Sequence, residues 1–215
     1  MARELRLAQA LARLAGLLFL AVLLPAAWGQ PRPCAGCDCQ GEGCFQAGCG
    51  CRRPTAQDRM DLLQEELTLT LHSLFGSRLD LARPVSCRFV PPASLPLRHG
   101  ERVKGSYHQG VICLSADLAG PEALVVLAHE YGHAWQEQHH ARPADISERL
   151  GEGFAEWLAY RVARSRGLGE AATQIAQSTL PGAEGARYLL RLEREGGLEQ
   201  MLRLATTWID FDGSR

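Results

Sequence analysis

From Thr55 onward, apolar residues recur at helical spacing. Met60, Leu63, Leu67, Leu71 and Leu74 step by three or four, which predicts an amphipathic helix. Thr55-Ala56-Gln57-Asp58 caps its start and Gly76 closes it. The period then changes. Val85 to Val90 predicts a strand ended by Pro91-Pro92. A loop with proline and charge runs to Arg102. Val103–Tyr107 and Gly110–Leu114 predict a hairpin turning near His108-Gln109. Gly120-Pro121-Glu122 opens a second helix, with Pro at the first helical position and an acid in the first turn. Leu124, Val125, Leu127, Ala128, Tyr131 and Trp135 give that helix the broad apolar surface of a buried element. Asp145-Ile146-Ser147-Glu148 reads as a capping box for a third helix. Two more helical segments follow Gly167, split at Pro181-Gly182. The pattern predicts an α+β fold, with a small antiparallel sheet packed on a helix and further C-terminal helices.

The N-terminus departs from this pattern. Arg3, Arg6 and Arg13 precede the apolar run Leu14–Leu24, Pro25 breaks it, and Ala27-Trp28-Gly29 offers small residues suited to cleavage. Residues 1–29 therefore read as a signal peptide. The run is too short for a comfortable membrane span, and an uncleaved anchor is the alternative. Export places the remainder in an oxidising compartment: secreted, periplasmic or at the cell surface. That bears on residues 30–54, where six of the eight cysteines lie: Cys34, Cys37, Cys39, Cys44, Cys49 and Cys51. With Phe45 almost its only apolar side chain, this segment needs covalent or metal staples. Three disulfides fit the even count, and a zinc or other metal knot is the alternative. Cys87 and Cys113 fall in strand-like segments and can pair with each other or remain buried thiols. Residues 55–215 are left as one domain. Hydrophobic content of 46% allows a substantial core, and a net charge of −1 gives no case for nucleic acid or a charged membrane surface as partner.

The second helix carries His129-Glu130-Tyr131-Gly132-His133. In a helix this spacing places two imidazoles one turn apart on one face, where both can bind one zinc ion, and the intervening Glu can act as general base. A shuffled chain of this composition would carry the pattern with a probability of about 0.02, so context decides. Catalytic zinc usually takes three protein ligands. Glu152 and Glu156, four apart on the third helix, share a face and permit a division of labour. One would bind metal, and the other would orient a ligand His by accepting its free N–H.

With eighteen residues between His133 and Glu152, the chain resembles the gluzincin metallopeptidases. Their H-E-x-x-H is followed at a similar interval by a Glu ligand on a second helix, with an acidic residue four positions later that supports a zinc His in thermolysin-like members; the resemblance implies Glu152 as the third ligand and Glu156 as that support. A narrower resemblance, over much of residues 105–205, is to the peptidase domain of the plant ubiquitin-activated LIM-domain growth-limiting peptidases and their bacterial relatives. It rests on His129-Glu130-x-x-His133-Ala134-Trp135, Glu152-Gly153, Leu158-Ala159, Gly185-x-Arg187 and Gly197-Leu198. The chain lacks the cysteine and histidine array of LIM modules, so ubiquitin-linked regulation does not carry over. The resemblance implies a zincin-like fold and a cleft edged by Gly110–Leu114, where extended substrate would pair.

The function expected is a secreted zinc peptidase. Zinc polarises water and the substrate carbonyl, and Glu130 accepts the water proton and passes it to the leaving amine. A donor should stabilise the developing oxyanion. The candidates are Tyr160, Arg187, Tyr188, His139 and His140, the last two expected to fray into solvent. The alternative function is a non-catalytic secreted module that binds zinc or a partner on the same fold.

Overall fold

The computed structural model describes residues 54–98, 100–178 and 181–211. The leader and the cysteines at 34–51 lie outside them. Helix α1 (Ala56–Phe75) opens as its pattern predicts: Thr55 accepts from the Asp58 N–H, and Asp58 accepts from that of Thr55. It ends at Gly76, whose φ of 62° favours glycine. Strand β1 (Ser86–Val90) follows. The loop after it contains an unforeseen ribbon of two short strands, β2 (Leu97–Arg98) and β3 (Glu101–Arg102). Strands β4 (Gly105–His108) and β5 (Val111–Ser115) form the expected hairpin. Its two-residue turn has positive φ at both Gln109 and Gly110, which suits the right-handed twist of the strands.

The sheet is mixed, where an antiparallel one was expected. Its order is β1-β5-β4, with β1 parallel to β5, Ser86 opposite Val111 and Val90 opposite Ser115. The long β1–β5 connection returns the chain to run in the same direction. Strand β5 is therefore central, with both edges paired. The prediction that Gly110–Leu114 edges the cleft is corrected: among the described residues the edge strands of this sheet are β1 and β4, and β4 is the one that borders the cleft. The register also separates the two cysteines. Cys87 is opposite Ile112 and Cys113 opposite Arg88, so the thiols occupy opposite faces of the sheet. They are free and half-buried, and burial pushes the Cys87 thiol up to about 11.

Four helices complete the domain: α2 (Gly120–His139), α3 (Glu148–Ser165), α4 (Gly169–Gln177) and α5 (Pro181–Thr207). Helix α5 is interrupted at Gly197, where φ is 80°. The N-cap of α3 is Ser147, which accepts from the Leu150 N–H; the helix starts two residues later than expected from Asp145, and Leu150 at the third helical position cannot complete a capping box. None of the helices among the described residues is long and apolar enough to cross a membrane. The core joins α1, α2 and α3 through an aromatic chain. Trp135 stacks on Phe154 at 5.1 Å, Phe154 meets Trp157 at 5.2 Å, and Trp157 meets Phe75 at 5.4 Å. Such pairs add about 0.5–1.5 kcal/mol each beyond area burial.

The end of α2 does not fray as expected. His139 is exposed but stacks on Trp135 at 4.6 Å. His140 is buried, its Nε2 2.9 Å from the Trp208 carbonyl and its Nδ1 accepting from the Arg142 N–H. The C-terminal segment is what covers it. Ser147 N–H also donates to the Ile209 carbonyl, which closes this segment over the α2–α3 connection.

Candidate metal centre

Helices α2 and α3 pack closely enough to bring their polar faces together. A Cβ on Gly132 would lie 2.9 Å from the Ala155 Cα, so the glycine inside the histidine motif sets the interhelical distance. A similar contact seats α3 on α5: a Cβ on Gly153 would lie 2.8 Å from the Gly185 Cα. These contacts leave the His129, His133 and Glu152 side chains facing one another.

The two Nε2 atoms of His129 and His133 are 3.2 Å apart. Glu152 places Oε2 3.3 Å from His129 Nε2 and Oε1 3.7 Å from His133 Nε2. One ligand atom from each residue lies within 4.8 Å of the others, a group that can hold a metal ion. The three side chains are mostly covered, with exposures of 20–23%. Burial disfavours the charged form of His129, but its contact with Glu152 and the charges of Glu130 and Glu156 prevail and raise it to about 9. Glu152 is pushed the other way. Burial would raise it, yet both imidazoles hold it well below the usual carboxylate range.

Glu130 is buried beside the cluster. It fits there because position 105 carries no side chain. A Cβ on Gly105 would lie 2.8 Å from Glu130 Oε1 and 2.6 Å from Val126 Cγ1. Glu156 faces the far nitrogen of His129, Oε1 to Nδ1, at 3.8 Å. That exceeds a hydrogen bond and leaves a long charge contact, or one bridged by water. Burial raises the Glu156 carboxyl.

The expected donors lie elsewhere. Tyr160 lines a separate depression with Arg161, Arg164 and Glu193. The Arg187 guanidinium donates to the carbonyls of Ala176 and Ser178, joining α4 to α5. Tyr188 packs on Phe211 at 4.9 Å. Sequence reasoning missed Arg98, whose Nη1 donates to Glu152 Oε1 at 2.5 Å. The signal was faint: Gly100 between two charged dipeptides in a loop. It also missed Gly105.

The cluster lies in an open cleft of about 2570 Å³, bordered by β4, the β2–β3 ribbon, α2 and α3. Small-molecule pockets run to about 300–1,000 Å³, so this cleft suits a chain-like ligand. Comparison with protein-family models, curated proteins and solved structures gives no match.

Proposed function

We propose that this chain is an exported zinc-dependent peptidase of the gluzincin type, with a zincin-like catalytic domain. The observation that carries the reading is the convergence of two imidazoles and one carboxylate from two helices beside a buried glutamate. Tetrahedral zinc with bonds of about 2.0–2.1 Å separates its ligand atoms by about 3.3 Å. The separations here are 3.2, 3.3 and 3.7 Å. His129 and His133 through Nε2, and Glu152 through a carboxylate oxygen, would hold the ion. A bound zinc ion supplies a Lewis acid and a water of lowered pKa.

The protein's own groups divide the remaining work. Glu130 is placed to accept the proton of the attacking water and return it to the leaving amine. Glu156, with Oε1 3.8 Å from His129 Nδ1, would accept that N–H through a bridging water, which directs the Nε2 lone pair toward the ion. The free edge of β4 offers backbone N–H and C=O groups to an extended peptide, by strand addition. A purely structural site would have no need of Glu130.

Glu130→Gln tests this directly. The variant should hold metal as the wild type does, while kcat on a peptide library falls by about 10²–10⁴-fold. Wild-type turnover in Glu130→Gln would overturn the mechanism.

A further inference from the structure

We propose that Arg98 donates the hydrogen bond that stabilises the oxyanion formed on the substrate carbonyl; this rests on the peptidase reading above. Such a donor must stand at the cleft beside the reacting carbonyl, and it acts best when held in place beforehand. Tyr160 lines a separate depression, and the Arg187 guanidinium is bonded to the carbonyls of Ala176 and Ser178. Of the cleft's other donors, Lys104 pairs with Glu122 and the Arg102 guanidinium bonds the carbonyls of Ala93 and Leu95. Tyr107 points its hydroxyl at the turn, accepting from the Gly110 N–H.

Arg98 is placed differently. Its backbone belongs to the β2–β3 ribbon, across from Glu101. The ribbon is rooted by the Arg102 bonds, by Val103 N–H donating to the Pro96 carbonyl, and by buried Leu95. From there the guanidinium reaches 54 residues along the chain to Glu152. One N–H of its five is engaged at Glu152 Oε1; the side chain lines the cleft and is 57% exposed to solvent. A guanidinium is a rigid planar fork that can serve two oxygen acceptors at once. Glu152 thus holds it by one arm, and the other arm is available to a carbonyl oxygen next to the ligand set.

The step balances without a co-reactant. Water oxygen bonds to the carbonyl carbon, the C=O π pair moves onto oxygen, and the water proton passes to Glu130. Arg98 keeps its protons and donates a hydrogen bond to that oxygen. On collapse the pair re-forms C=O, the C–N bond breaks, and the Glu130 proton goes to the amine.

The experiment compares wild type, Arg98→Gln and Arg98→Lys for metal content, steady-state cleavage of a peptide, and calorimetric binding of a phosphinic peptide that mimics the tetrahedral species. Arg98→Gln should retain its metal and lose about 10²–10³-fold in kcat, with KM within about threefold. Its affinity for the phosphinic peptide should fall by a similar factor to kcat, and affinity for the cleavage products should not. Arg98→Lys should recover part of the loss. The proposal is overturned if Arg98→Gln keeps its kcat, or if its defect is one of metal content or KM alone, since Arg98 would then only support Glu152. If the wild type holds metal but cleaves no peptide, the peptidase reading falls and this proposal with it.

Discussion

At the residue scale, the close approach of Glu130 to Gly105 yields a prediction. An alanine methyl at 105 would press on both Glu130 and Val126. Gly105→Ala should therefore lower kcat by about tenfold or more, since small displacements of a reacting group are costly, while leaving metal content unchanged. Cleavage kinetics beside metal analysis check this. Glu156→Gln should instead act on the ion, weakening zinc affinity about 10–100-fold as the support of His129 is lost. Acidity adds a third expectation. The raised value of His129 means that metal-free protein keeps a proton there until about 9. Zinc binding must expel it, so affinity should rise about tenfold per pH unit and level off above about 9. Calorimetry in buffers of different ionisation enthalpy would count that proton. Stability of the metal-free protein follows the opposite sense. The His129 contribution is complete below its ordinary value of 6.5 and is lost as pH rises through about 9. The depressed Glu152 contributes above the usual carboxylate range and is lost in stronger acid.

Glycines set the distances between elements on which the centre depends. A Cβ on Gly185 would meet the Arg149 carbonyl and the Gly153 Cα, both at 2.7 Å. Backbone cannot yield as a side-chain tip does. Gly185→Ala should cost about 1–3 kcal/mol, or several degrees in a thermal melt, and weaken zinc binding because Glu152 adjoins Gly153. This scale also shows what was legible in the sequence. The α2 and α3 helices were readable because their polar faces repeat at helical spacing, which set Glu152 and Glu156 on one face, while the interval after His133, similar to that of gluzincins, singled out Glu152 as the partner of the histidines. The β2–β3 ribbon was not, because two-residue strands leave no period, and Arg98 was lost with it. Parallel pairing of β1 with β5 depends on a connection whose path no local pattern states. The burial of His140 depends on a segment nearly seventy residues later.

For the whole molecule, the aromatic chain joins α1, α2 and α3, and a metal ion would further tie α2 to α3. Zinc at a hundred times its Kd should stabilise the fold by about 2.7 kcal/mol. A chelator should accordingly lower the melting temperature by about 5–10 °C. His133→Ala should remove that response, which separates this site from any metal held by the N-terminal cysteines. The proposed function stands on His129, His133 and Glu152 holding a zinc ion used for hydrolysis. Its most direct test is to strip the protein of metal, titrate zinc back, and follow cleavage of a peptide library. Cleavage should be absent from the stripped protein, return as zinc is added, and stay absent in the double variant His129→Ala/His133→Ala. Cleavage that persists without zinc, or that survives in the double variant, would contradict the account.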